Sequence, residues 1–250
     1  AAAAAAAHLH SHSHSHSRVS DVSYWKIVSR PNFLAIALVV LALSVSFGVF
    51  PSTLPPHLQR TLHMSEGGVG SVYAYISGLY AAFTPIVGPL ADNGVLGLGQ
   101  MAVAGTAMCA AGHLSFGPSP LLRLPAGALR GWRLWALDIA GGGTLYGVGA
   151  AFAFVPILPL MRAAVADLGP EYAELCAGMF NGQYYFGEML GQLFGAQMVD
   201  AMGFPWASTC LAAALLGSCA LFLTVRAAVL RLPAQGQGQR RGSGTGTRRR

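Results

Sequence analysis

Charge is scarce in this chain. The 250 residues include 9 acidic and 15 basic side chains, so charged residues make up 10%, where a soluble globular domain carries about a quarter. That shortage excludes an ordinary water-facing surface over most of the length. Cysteine is scarce too. Cys109, Cys176, Cys210 and Cys219 lie inside or at the edge of apolar runs. They show no CxxC spacing and no disulfide framework, so small packing residues are expected and no metal site is. HExxH, GxSxG and the kinase signatures are all missing, so nothing points to an enzyme or a cofactor, although a site assembled from distant residues stays open. Strand-like alternation is missing as well. A chain in lipid must satisfy its backbone internally, and that leaves helices in preference to a barrel.

What is present is hydrophobic: 54% of the residues. Six apolar runs stand out, at about 33–54, 68–91, 95–116, 132–161, 173–199 and 205–226. Each reaches the roughly 20 residues that a spanning helix needs. The expected fold class is therefore all-α, a polytopic membrane protein with a bundle of six transmembrane helices over residues 31–229. Residues 1–30 hold an alanine run and a His-Ser alternation, which read as a disordered low-complexity linker and not as a signal peptide. Residues 230–250 read as a disordered basic tail.

The net charge is +6, but the arginines flank apolar spans and form no basic patch, which excludes nucleic acid as a partner. Six spans put both termini on one side. That side holds Arg18, Lys26, Arg30, Arg162 and the tail arginines, against Arg60, Arg123, Arg130 and Arg133 on the other, so cytoplasmic termini are expected. Trp25, Trp132, Trp135 and Trp206 fall at span ends, where interfacial anchoring accounts for them.

Several residues depart from a plain greasy helix. Pro51, Pro55 and Pro56 are expected to end the first span. Pro85, with Gly88 behind it, sits in the second, and Pro156 and Pro159 interrupt the fourth. Proline removes a backbone donor and kinks a helix, and broken membrane helices are tolerated where they line a cavity or move. Gly143 and Gly147 have the spacing for close helix contact. Glu188 stands out most. It lies near the middle of the fifth run, in company with Gly187, Gly191 and Gly195. An acid in hydrocarbon is costly and marks a substrate or proton path. Tyr184, Glu188 and Gln192 are four apart and share one helix face, with Asn181 a turn earlier. Desolvation is expected to favour the protonated acid, which suits a proton carrier. Asp138 lies nearer a span end beside Arg133 and is expected at the interface. His113 is expected to be a satisfied or interfacial histidine.

These residues carry a family resemblance. The run Phe83-Thr84-Pro85-Ile86-Val87-Gly88-Pro89-Leu90-Ala91-Asp92 resembles the Pro–Gly–Asp segment closing the second helix in the carboxyl-terminal half of the major facilitator superfamily. Thr53-Leu54-Pro55 resembles the end of the first helix of that half, and Gly203-Phe204-Pro205-Trp206 the turn before its last helix. Gly117-Pro118-Ser119-Pro120 is similar to a loop of the vesicular polyamine-transporter-like branch. The resemblance runs from Pro31 to Arg226 and points to a vesicular amine transporter-like member. It implies two six-helix halves rocking around a midplane site, of which this chain supplies one. A missing amino-terminal half or a second copy would then complete the path. Asp92 would latch the cytoplasmic turn. Pro51, Ala151 and Asn181 stand where monoamine carriers of the family hold acids, and Asn93 and Gly94 replace the usual basic residues. Those departures weigh against a monoamine substrate.

The expected function is proton-coupled exchange of an organic cation, an amine or polyamine, across a vesicular or other endomembrane bilayer. Glu188 would be the proton or cation site, Asn181, Tyr184 and Gln192 the path, and Pro85, Gly88, Pro156 and Pro159 the hinges. One rival is a non-transporting membrane interaction protein derived from a transporter half. The other is an intramembrane enzyme, which would require Glu188, Asp138 and His113 to cluster.

Overall fold

The structure is a computed structural model. It describes residues 23–94, 96–122 and 131–241, with side chains as far as residue 229. The His-Ser stretch, the end of the basic tail and most of the Arg123–Arg133 loop lie outside the described residues.

The described residues contain helices and no strand. In chain order they are α1 (Tyr24–Val28), α2 (Pro31–Leu62), α3 (Glu66–Asp92), α4 (Leu98–Ser115), α5 (Trp132–Trp135), α6 (Thr144–Phe154), α7 (Ile157–Ala163), α8 (Pro170–Met202) and α9 (Phe204–Arg241). A π-helical segment, Ala136–Gly143, joins α5 to α6. Helix covers the body of all six apolar runs. Four stretches are long and apolar enough to cross a membrane: Pro31–Leu62, Glu66–Asp92, Trp132–Ala163 and Phe204–Val229. α4 and α8 are not among them. Polar residues inside them, such as Gln100 and His113 in α4 and Asn181, Glu188 and Gln192 in α8, dilute their apolar character. The observed class is all-α with four such helices.

Two boundaries move. The expected linker ends early, because Tyr24–Val28 is helical and Ile27 is fully buried. The last helix continues to Arg241, past the boundary expected at residue 229.

Local chemistry explains most helix ends. Pro31 and Pro170 occupy first-turn positions, where their missing N–H leaves no bond unmade. The Ser65 hydroxyl accepts from the Gly68 N–H at 3.3 Å and caps α3, with Glu66 at the positive end of the helix dipole. Gly203, at φ 80°, makes the sharp turn from α8 into α9, a conformation that a side chain would strain.

Pro51, Pro55 and Pro56 do not end the first span. α2 runs through all three to Leu62. Hydroxyls tie down the surrounding backbone: Thr53 and Ser52 donate to the Val49 carbonyl at 2.8 and 3.0 Å, and Tyr73 of α3 donates to the Phe50 carbonyl at 2.8 Å. Pro85 likewise leaves α3 unbroken. Pro156 does mark an interruption, at the junction of α6 and α7.

The bundle is built on close backbone contacts. α2 packs along α8, α4 along α6, and α9 closes over α2 and α4. In the α2–α8 seam, a Cβ on Gly48 would overlap the Glu188 carbonyl, and one on Gly191 would overlap the Val45 carbonyl. Between α4 and α6, a Cβ on Gly149 would sit 2.8 Å from the Gly105 carbonyl oxygen; between α3 and α6, one on Gly147 would sit 2.7 Å from that of Ile76. The GxxxG reading of Gly143 and Gly147 agrees with this contact. At the chain-terminal end, Arg30 forks onto Asp167 with two 2.6 Å hydrogen bonds. That hydrogen bond holds the Asp167 carboxyl below the usual carboxylate range. The pair is therefore intact above that range and is lost as pH falls through the depressed value. Both side chains are open to solvent, so the pair aligns more than it stabilises.

These seams predict unequal glycine tolerance. Gly48→Ala should destabilise the detergent-solubilised protein by about 1–3 kcal/mol, as overpacking does. Gly78→Ala, whose Cβ would meet nothing within 4 Å, should be neutral or slightly stabilising because alanine is the better helix former. Thermal unfolding followed by helical circular dichroism compares the two. Equal melting temperatures would contradict the seam.

Candidate functional site

The glycines of α8 decide which way its polar residues face. Gly187, Gly191 and Gly195 are buried against α2. Tyr185, Phe186, Met189, Leu193 and Phe194 are exposed on the other side, Tyr185 at 66%. Glu188 and Tyr184 are half-buried at the flank between them, while Asn181 and Gln192 are exposed. Tyr184 stands edge-on to Phe154 of α6, with ring centroids 5.6 Å apart, close to the Pro156 break. The four residues do lie along one side of α8, but the structure does not gather them into an enclosed pocket. No hydrogen-bond partner is described for the Glu188 carboxyl. Pro85 and Pro159 are exposed, Gly88 is half-buried, Pro156 is buried and Asp92 is exposed at the end of α3. A Cβ on Gly88 would meet nothing within 4 Å, so packing within this chain does not require that glycine. Gln183, off the stripe, donates to the Ala37 carbonyl of α2 at 2.7 Å.

The structure assembles two polar clusters that spacing did not reveal. The first lies in the core. Ser46 of α2 bonds His113 Nε2 of α4 at 2.6 Å and the Tyr146 hydroxyl of α6 at 2.8 Å. All three are fully buried. Phe50 stacks on the imidazole at 5.0 Å and 18°. His113 Nδ1 is buried with no partner. His113 is thus neither interfacial nor fully satisfied. One serine hydroxyl serves two partners, because it donates once and accepts twice.

The second cluster corrects the reading of Asp138. It does not pair with Arg133, which lies 5.9 Å from the Trp132 ring centre. Asp138 is fully buried, and Oδ1 accepts the Gly117 N–H at 2.9 Å while Oδ2 lies 3.0 Å from His57 Nε2. Asp138 lies in the π-helical segment Ala136–Gly143, a rare geometry that is frequent at functional sites. His57 Nδ1 lies 3.3 Å from the Thr61 hydroxyl, and its ring stacks on Phe204 at 4.0 Å and 11°. A cavity of about 600 Å³ opens beside this pair, lined among others by Thr53, His57, Arg60, Thr61, Asp200 and Phe204.

Glu188, Asp138 and His113 therefore keep different company, and the structure does not bring them to one cluster. Among the described residues no group of three or more His, Cys, Asp or Glu side chains could hold a metal.

No family model matches the chain. Three curated relatives share one name, MFS-type transporter SLC18B1. The protein from Rattus norvegicus is 29% identical over 190 residues, covering 74% of this chain and 40% of the relative. Those from Mus musculus and Homo sapiens are 28% and 27% identical over the same lengths. The chain thus spans 40% of the length of the curated relatives it matches. Their shared name is that of the superfamily the sequence motifs resemble, and with the apolar helices it supports a membrane protein.

The core cluster predicts an asymmetry. Ser46→Ala strands both His113 and Tyr146 in a buried site and should destabilise by about 1–3 kcal/mol. Tyr146→Phe removes one hydroxyl, leaves the Ser46–His113 bond and should destabilise by less. Thermal unfolding ranks the two; the reverse order would show that Ser46 does not bridge them.

Proposed function

We propose that this chain forms the carboxyl-terminal six-helix half of a secondary active transporter that exchanges an organic cation, such as an amine or polyamine, for protons across an endomembrane. The observation that carries the reading is the one acid in the middle of α8, Glu188; Glu171, Glu174 and Asp200 lie towards its ends. Glu188 sits midway along a membrane-length helix, half-buried, with no described partner, in a chain whose relatives are named transporters. A carboxylate at the centre of a bilayer costs several kcal/mol. Its place beside the α2 seam keeps it at the edge of the bundle, where an adjoining half would face it.

In this reading Glu188 alternates between proton and cation. Tyr184 offers a ring face to a cationic substrate, and Asn181 and Gln192 continue the polar path. Pro156 and Pro159, at the interruption of the Trp132–Ala163 stretch, and Pro85 and Gly88 in α3 absorb the backbone change between the two access states. Asp92 latches the turn on the cytoplasmic side. The open apolar side of α8 and the glycines of α3 that meet nothing within this chain would pack against an amino-terminal half or a second copy.

The rival is a non-transporting interaction protein derived from a transporter half. The large exposed apolar side chains of α8 suit it equally well, because such a patch marks contact with another protein or with lipid.

Reconstitution of the full-length protein in liposomes separates the two. An imposed pH gradient should drive uptake of a labelled polyamine, and Glu188→Gln should cut that uptake roughly tenfold or more, about 1.4 kcal/mol in the driven step, with the folded yield unchanged. Undiminished uptake by Glu188→Gln removes the role given to that acid. No gradient-driven uptake by the unaltered protein favours the interaction protein.

A further inference from the structure

The helix ends place one group of residues where protons can reach it. Thr53, His57, Arg60 and Thr61 lie near the end of α2, Gly117 follows α4, Asp138 lies near the start of the π-helical segment, Asp200 ends α8 and Phe204 opens α9. They share the end of the bundle opposite Arg30 and Asp167. The Asp138 carboxylate is fully buried and the His57 side chain is 7% exposed, yet His57 borders the cavity.

We propose that His57 and Asp138 form a reversible proton-binding site at this end, with His57 Nδ1 as the atom that takes the proton. An ionised Asp138 can only accept, so His57 Nε2 carries a hydrogen toward Oδ2. That leaves Nδ1 facing the Thr61 hydroxyl. While Nδ1 is bare, the hydroxyl donates to it. When a proton arrives from cavity water, an N–H bond forms at Nδ1, and the hydroxyl rotates to accept. Both ring nitrogens stay paired in both states, and Asp138 neither gains nor loses a proton. The site can thus change charge by one without moving a helix.

The proton changes the charge balance of the pair. Before the proton arrives, the pair carries one net negative charge on a buried carboxylate; afterwards the two charges compensate. Every charged group lining the approach bears on this. Arg60, on the same helix, opposes an added cation. Asp200 of α8 favours it. α9 contributes Phe204 and Pro205, and the loop after α4 contributes Gly117 and Pro118, all uncharged. Arg60 and Asp200 are exposed and screened, and Asp138 is the charged group hydrogen-bonded to the ring. The added charge also strengthens the stack on Phe204, since a cation over an aromatic face is attracted to it. Protonation therefore tightens the contact between the ends of α2 and α9. With the arginine-rich termini in the cytoplasm, the cavity opens on the opposite side of the membrane, where an acidic compartment would lie. Glu188 has no part in this cluster, so a proton bound at His57 is separate from one bound at Glu188.

The test reads the imidazole directly and needs no transport, so it stands or falls apart from the transport reading. The full-length protein in lipid nanodiscs, labelled with ¹⁵N-histidine, is titrated from about pH 8 to about pH 5, the interval in which histidine changes charge. The signals missing in His57→Gln identify the residue. His57 should hold one proton, at Nε2, at the upper pH and gain a second at Nδ1 on acidification. At a pH where the unaltered ring is doubly protonated, Asp138→Asn and Thr61→Val should leave it largely singly protonated, with the remaining histidine signals unchanged as the folding control. A ring in one state across the interval overturns the proposal, as does a proton taken up at the same pH in Asp138→Asn. Should Asp138→Asn not fold, Thr61→Val carries the same comparison, and an unshifted titration there overturns it equally.

Discussion

Where Gly48 faces the Glu188 carbonyl and Gly191 faces that of Val45, α2 and α8 approach so closely that a methyl group does not fit. Much of the rest follows from that contact. It fixes the rotation of α8 about its own axis, because only the glycine side can enter the seam. With that side buried, Glu188 and Tyr184 must lie at the flank, and the aromatic and aliphatic residues must face outward. Lipid supplies no hydrophobic drive for helices to associate, so dispersion between backbones at short range has to hold them. A larger residue in the seam would both weaken the pair and turn the polar stripe away from its place.

The same bundle carries polar groups in its core and keeps them paired by sharing. Ser46 joins three helices through one hydroxyl, and Asp138 receives one hydrogen bond at each oxygen. Each arrangement draws its members from segments far apart in the chain; Ser46 and Tyr146 are 100 positions apart. A buried polar group without a partner costs about 1–3 kcal/mol, so these bonds specify which helices can meet and in what register. Among the described residues two buried side-chain atoms lack a partner, Asn32 Oδ1 and His113 Nδ1, and the ring of Phe50 stacks on the second.

Much of the framework was legible in the residues. The six apolar runs mark helices, because hydrophobicity over about 20 residues is a local property. The glycines at Gly187, Gly191 and Gly195 announced a close approach, and the structure puts it against α2. The prolines misled at one end. Pro51, Pro55 and Pro56 read locally as a stop, but the helix goes on through all three to Leu62. Asp138 misled in another way. Arg133 is its nearest basic neighbour in sequence, while His57, 81 positions away, is its partner in space. Asp138 lies in a π-helical turn, and nothing in a periodicity analysis announces one.

The sequence by itself determined the solvent and the class. Few charges and long apolar runs require a bilayer and helices, since no other open architecture satisfies the backbone there. It also singled out Glu188, because the energetic penalty of an acid in hydrocarbon is a property of the residue and its immediate neighbours. Only the tertiary structure decided which polar groups meet: His57 with Asp138, and Ser46 with His113 and Tyr146. Those pairings depend on helix rotation and crossing, which are set by contacts between distant segments and leave no mark in local composition.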